Sequence, residues 1–348
     1  MKLSALLGVL LFAALPATSN YKLNSYGFGS GGVTNSSTAT YALEGTAGEL
    51  SGITGSTANV TTKPGYVETQ QANVPKIASI DTSGGQYYNK LHFVLDTQGN
   101  PTDATYLVAV SSDGFASDIK YLLPDGTLTS TLSLSSYQTY AALGAGAGSL
   151  VIGLQPSTTY TFKAKATQGK FSESAFGPTN ALQTAAPSIT FSLVTSAQST
   201  PPFSIGLGTL SAGTIASSGQ TINTAVSTNG VSGANIYIRS QNGGLLSGST
   251  GNIINAISTD LSGASKGFGA QSTSASVGSG GPFNALSPYN GSGNNVGIID
   301  STIRSLYSSS APVTNGAGTL ALKAKASSID VAANDYQDVL TFIAAGNF

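Results

Sequence analysis

The apolar residues of this chain come in short runs that alternate with polar ones and stop at Gly, Pro, Asn or Ser. Tyr160-Thr161-Phe162-Lys163-Ala164-Lys165-Ala166 is the clearest of them. A period of two sends successive side chains to opposite faces of an extended strand, whereas a helix needs apolar residues three and four apart. Runs of about four to eight residues closed by turn formers are strands of sandwiches and barrels. The fold class expected is therefore all-β, and a length of 348 residues leaves room for two or three domains.

Composition narrows the chemistry. Only 8% of residues are charged, with 14 Lys and Arg against 15 Asp and Glu, so hydroxyls and amides must carry solubility. A net charge of −1 lacks the basic surface that neutralises phosphates, which argues against nucleic-acid binding. The chain has no Cys and one His, which removes disulfides, thiol catalysis, Cys zinc sites and multi-His metal sites. No cofactor is expected.

Residues 1–19 read as a signal peptide. Lys2 gives a positive start, Leu3 to Leu15 an apolar stretch too short to span a bilayer, and Pro16 a break. Ala17-Thr18-Ser19 supplies the small residues that precede a cleavage site, placing the cut between Ser19 and Asn20. The expected location is secreted or cell-surface, and export without Cys fits a bacterial surface protein whose domains bury enough surface to stand without staples.

Residues 20–73 repeat loosely. Asn20-Tyr21-Lys22-Leu23, Thr40-Tyr41-Ala42-Leu43 and Asn59-Val60-Thr61-Thr62 recur about twenty residues apart, with Gly-rich turns at Gly27 to Gly32 and Gly45 to Gly48. This is expected to be a small β-meander. In residues 74–187, strand candidates run Ile77–Ile80, Lys90–Leu95, Thr105–Val110, Ile119–Leu123, Ser149–Gly153, Tyr160–Ala166 and Ala181–Thr184, a spacing that suggests an immunoglobulin-like sandwich. Leu154-Gln155-Pro156-Ser157-Thr158-Thr159-Tyr160 and the alternation after it resemble the fibronectin type III pattern entering its sixth strand. In that resemblance Leu154 closes the core, Pro156 fixes the crossover, and the Tyr160 hydroxyl bonds back to the backbone as in a tyrosine corner. Phe171 to Ser174 and Gly177-Pro178 resemble the last turn and strand. The family's early Trp is missing, and Phe93 is the expected substitute.

Residues 188–348 read as a C-terminal β-sandwich. Ile222–Ser227 and Ala234–Arg239 are expected to pair around Thr228 to Gly233, with later strands at Leu320–Ala326 and Val339–Ala344. Ser272–Gly281 and Asn290–Asn295, rich in Gly, Ser and Asn, read as surface loops, and Asn294–Tyr307 as a candidate strand followed by a short helix, which periodicity does not decide. Leu207-Gly208-Thr209-Leu210, Ser227-Thr228-Asn229-Gly230 and Tyr336 to Phe342 resemble C-terminal β domains of bacterial surface proteins, including the WxL-type group, though the defining Trp-x-Leu pairs are absent. The order of modules is similar to exported proteins of uncultivated small bacteria.

Candidate chemistry is sparse. Gly27-Phe28-Gly29-Ser30-Gly31-Gly32 matches G-x-G-x-x-G, but a phosphate loop needs a helix N-terminus after it, and none is patterned there. His92 lies on the strand face opposite Leu91 and Phe93, without a G-x-S-x-G nucleophile elbow. Glu44 with Glu49 and Asp335 with Asp338 are acid pairs at strand or turn edges, and Asp96, Asn100 and Asp103 lack calcium-loop spacing. Asn35, Asn59 and Asn290 open glycosylation sequons of the kind chance supplies in a Ser/Thr-rich chain. Tyr87 and Tyr88 are candidates to stack on sugar.

The expectation is a non-enzymatic secreted or cell-surface structural and adhesion protein, contacting a cell-envelope component, a surface polysaccharide or a protein. The alternative is a carbohydrate-binding or accessory module of a polysaccharide-degrading system. Self-assembly through edge strands that few charges guard is a further expectation.

Overall fold

The computed structural model describes residues 72–82, 87–168 and 172–348, together with the backbone of residues 31–37, 42–47, 55–56 and 61–62. The protein is all-β: the described residues form antiparallel sheets joined by turns, with two 3-10 turns and no α-helix among them. Gly31–Ser37 pairs with Ala42–Ala47, and Gly55–Ser56 with Thr61–Thr62. Gly31 and Gly32 thus open a strand, and Gly45 to Ala47 continue one where a turn was expected. The candidate strand at Asn20–Leu23 lies outside the described residues.

The chain divides into two compact units. One holds residues up to Ile80 with Phe93–Val151 and Thr159–Leu182; the other holds Asp81–His92, Ile152–Thr158 and Gln183–Phe348. In the first, Thr105–Ser111 is the centre of a seven-stranded sheet, bonded to Thr159–Gln168 on one side and to Lys120–Leu122 and Tyr137–Thr139 on the other. A three-stranded sheet of Lys76–Asp81, Leu91–Asp96 and Ser149–Val151 faces it. Phe93 and Phe162, one from each sheet and both fully buried, meet with ring centroids 5.9 Å apart. The strict alternation of strand 159–168 buries Tyr160, Phe162, Ala164 and Ala166 and turns Thr161, Lys163 and Lys165 outward.

The second unit packs a five-stranded sheet on a four-stranded one. In the first sheet Val313–Lys325 is central, with Gly267–Gly280 along one side and Ile222–Thr228 and Ile215–Ser217 along the other. The second sheet runs Phe283–Ala285, Arg304–Ser309, Ala234–Ser240 and Leu340–Gly346. Both Ile222–Thr228 and Ala234–Ser240 are strands, yet they lie in different sheets and do not pair. Their connection, with Gly233 in the left-handed region at φ +73°, carries the chain between layers rather than turning a hairpin. Each buries every second side chain, so the alternation that marked them as strands was silent about partners. The stretch from Arg304 is a strand, so the helix alternative is resolved against.

Two aromatic rings set the spacing of this core. Tyr307 and Phe283 stack at 5.4 Å, and both fit because strand 313–325 carries Gly318 and Gly316 beneath them. A Cβ at Gly318 would sit 2.4 Å from the Tyr307 ring. The Tyr307 hydroxyl lies 3.0 Å from both the Ser272 hydroxyl and the Thr319 carbonyl, and burial pushes its pKa up to about 12.

Candidate functional site

On the outer face of the first unit's larger sheet, Lys163 lies opposite Ala109 and Lys165 opposite Leu107. Residues opposite one another share a face, yet Leu107 and Ala109 are fully buried. Strand 105–111 is therefore covered on both sides, which explains its unbroken apolar run Tyr106-Leu107-Val108-Ala109-Val110. The outer cover is a row of rings and ammonium groups.

The Lys163 Nζ stands 3.7 Å from the Phe115 ring centroid and 4.7 Å from that of Phe176. The Lys165 Nζ stands 5.3 Å from Phe176 and 5.8 Å from Tyr137. At the end of the row Lys165 pairs with Glu173 at 2.7 Å, and the Tyr137 hydroxyl donates to the same carboxylate. Ring quadrupoles attract such cations, by about 0.5–1 kcal/mol at exposed sites. Burial alone would lower the Lys165 pKa, but its contacts with Glu173 and Tyr137 overcome this and raise it. Burial likewise opposes ionisation of Glu173, and the bonds from Lys165 and Tyr137 prevail and hold its pKa below the ordinary value. Lys163 forms no ion pair among the described residues.

Phe115 is held in position at a cost. Its φ of +71° is left-handed, a conformation that bulky side chains rarely adopt. The loop around it is clamped by Asp113, whose carboxylate accepts from the Ser117 hydroxyl at 2.7 Å, the Ser111 hydroxyl at 2.8 Å and the amides of Ala116, Ser117 and Asp118. The Phe115 amide itself donates to the Ser111 hydroxyl at 2.7 Å. These bonds, the Ser117 hydroxyl first, hold the Asp113 pKa far below the usual carboxylate range. Phe176, 38% exposed, presents the most open ring of the row.

The residues singled out in the sequence are placed as follows. Leu154 is buried and its amide donates to the Asn89 carbonyl at 3.0 Å, while Pro156 is half-buried with its carbonyl accepting from the Thr158 hydroxyl. Tyr160 is buried at the start of its strand. The crossover is stitched by a residue the sequence did not single out: the Thr184 hydroxyl bonds the Gln155 carbonyl at 2.6 Å and receives the Thr158 amide at 3.0 Å. Ser19 and Asn20 lie outside the described residues.

His92 is outward-facing, with Nδ1 3.3 Å from the Asp81 carboxylate. Asp96 accepts from the Gln98 amide and side chain and lies 3.5 Å from the Lys76 ammonium, while Asn100 bonds reciprocally with the Asn73 backbone. These oxygens organise a turn, and no group of three His, Asp or Glu that could hold a metal occurs among the described residues. Asp335 and Asp338 do not face each other as an acid pair. Each pins residues 336–337 to a neighbouring turn, through Ser247 and Ser249 in one case and Ser240 and Asn242 in the other. Glu44 and Glu49 lie outside the described side chains. Tyr87 carries the Lys90 ammonium 3.6 Å above its ring, and Tyr88 packs edge-on against Phe348 at 5.8 Å, so both rings already have partners.

No family model matches the chain, and neither does any curated protein. Among solved structures the chain is similar to chitinase ChiA74 from Bacillus thuringiensis, at 11% identity over 76% of this chain with a TM-score of 0.18. It spans 28% of that chitinase chain. At that TM-score the likeness carries no argument about fold or function.

Proposed function

We propose that this chain is a non-enzymatic structural and adhesion protein, secreted or displayed on a cell surface, that works by contact through its β units. The observation that carries the proposal is the row Phe115–Lys163–Phe176–Lys165–Tyr137 on the outer face of the first unit. Aromatic rings held rigidly beside charged groups offer large contact area at little entropic cost, the composition of binding hot spots. The left-handed Phe115, clamped by Asp113, is strain spent on aiming a ring outward.

The extracellular location rests on the charged, apolar and small-residue succession of residues 1–19, and residues 74–187 are read as a fibronectin type III-like module on the Leu154 to Ala166 pattern. Fractionation tests the reading: the chain, starting near Asn20, is expected with cell envelopes. Phe115→Ser with Phe176→Ser is expected to weaken binding of the purified chain to envelopes by about tenfold, the loss of one modest hot spot. Freely soluble material with hydrolase activity, or unchanged envelope binding by the double variant, would sink it.

A second reading has its own support. The Phe176 ring is flanked by the Lys165, Glu173 and Tyr137 polar groups, an apolar face beside hydrogen-bonding groups that suits a sugar ring. Saccharide binding lost in the same double variant would favour the carbohydrate-binding alternative, and no binding at millimolar saccharide would remove it.

A further inference from the structure

Strand 267–280 changes character half-way along. From Gly267 to Gln271 it is buried, with bridges to Ala256 and Gly297 on the side away from strand 313–325. After the Ser272 amide donates to the Tyr289 carbonyl and the register shifts between Ser272 and Ser274, that side opens. Thr273 to Gly280 are all exposed, remain paired with strand 313–325 on one side, and pair on the other with no strand among the described residues. An antiparallel strand points alternate amides and carbonyls outward, so about four of each face away from the sheet here.

Natural edges are blunted by Lys, Pro, inward charge or cover. Among the described residues this one has no such charge, proline or covering strand, and its bulge lies at the start of the segment, between Ser272 and Ser274. No charged residue occurs between Lys266 and Asp300, and the first proline after Gly267 is Pro282. The segment Thr273-Ser274-Ala275-Ser276-Val277-Gly278-Ser279-Gly280 carries no side chain larger than Val, so its own side chains put little in the way of a second backbone.

We propose that this open edge is where two copies of the chain pair, antiparallel and about a two-fold axis. The segment is its own complement. Centred on Val277, the pairing sets Val277 against Val277, Ala275 against Ser279 and Ser276 against Gly278, which puts small residues against small residues on both faces. Charge points to the same occupant: an uncharged edge gives a charged strand no counter-ion, while a net charge of −1 leaves two copies almost without mutual repulsion. The pairing is isologous, so it closes at two chains and consumes the edge. It stands apart from what the aromatic row contacts, and a paired molecule carries two such rows.

The test is light scattering of the full chain at about 100 µM, where a dimer with a Kd of ~10 µM is mostly formed. The native chain is expected to show twice the mass of Ser276→Lys, whereas Ile329→Lys, a charge added at a site 84% exposed and away from the edge, keeps the dimer mass. Hydrogen exchange needs no substitution: amides of residues 273–280 are expected to gain protection as concentration rises. A native chain monomeric at that concentration, a dimeric Ser276→Lys, or a dimer without added protection at 273–280 would overturn the proposal. Phe115→Ser with Phe176→Ser is expected to leave the mass unchanged, so failure here and failure of the adhesion reading are separately visible.

Discussion

Asp330 offers the sharpest test of the second unit's energetics. Its carboxylate, 5% exposed, receives the Lys266 ammonium at 2.6 Å, the Ser327 amide at 2.7 Å, the Ser327 hydroxyl at 2.9 Å and the Asn252 amide group at 3.2 Å. Burial by itself would raise its pKa, but these donors, Lys266 foremost, lower it from 3.8 to about 2. At 1.36 kcal/mol per pKa unit, that depression corresponds to ~2.5 kcal/mol of stability at neutral pH, an order-of-magnitude figure. Because the folded pKa is depressed, the contribution is full above the unfolded pKa and disappears as pH falls through about 2. Asp330→Asn removes the charge and sets an amide NH2 among donors. It is expected to cost ~2–3 kcal/mol at pH 7, shrinking as the medium is acidified from about pH 4 toward pH 2. Urea unfolding followed by circular dichroism measures the difference, and hydrogen exchange in strand 313–325 assigns it to this unit. A penalty below ~0.5 kcal/mol at pH 7, or one that stays constant down to about pH 2, would refute the assignment of stability to this ionised group.

Gly318→Ala is expected to destabilise the second unit by ~1–3 kcal/mol in urea, since its Cβ would overlap a Tyr307 ring that is fully buried and held at its hydroxyl. A change within about 0.5 kcal/mol would mean that the ring is free to move. Phe115→Asn keeps a residue that tolerates the left-handed backbone, so stability is expected to hold within ~1 kcal/mol while envelope binding falls. Equal loss of stability and binding would make Phe115 a packing residue rather than a contact.

What was legible in the sequence was whatever alternates. Leu91–Asp96, Thr159–Gln168, Ile222–Thr228 and Ala234–Ser240 bury every second side chain, and their patterns marked them as strands. Thr273–Gly280 has no buried face at all, so its Gly and Ser read as a loop, although its ladder with strand 313–325 makes it a strand. Partner choice was hidden because alternation fixes a face and not a neighbour. The aromatic row was hidden for the same reason. Phe115, Tyr137, Lys163, Lys165, Glu173 and Phe176 come from separate stretches, joined by the pairing of 105–111 with 159–168 and with 137–139, and of 159–168 with 172–173. Tyr87 and Tyr88, candidates for sugar stacking though such rings more often pack within a β protein, have partners in Lys90 and Phe348 that no local pattern marks.

The scarcity of charge and the abundance of hydroxyls are two sides of one arrangement. Described carboxylates recur as turn clamps that take their donors from Ser and Thr: Asp113 from Ser111 and Ser117, Asp118 from Ser112, Asp125 from Thr127, Asp335 from Ser247, Asp338 from Ser240. A carboxylate with several such donors is held ionised and in place, so each acid fixes a loop that a core this rich in small residues would leave under-determined. For Asp113, Asp118, Asp125 and Asp335 these bonds, from the serine and threonine hydroxyls first, hold the carboxyl pKa below its ordinary value. Beside these clamps the first unit presents its row of rings and ammonium groups and the second its uncharged backbone edge. The adhesion and the pairing proposed for them both rest on surface contact, and Phe115, Phe176 and Ser276 can each be replaced without removing a clamping carboxylate.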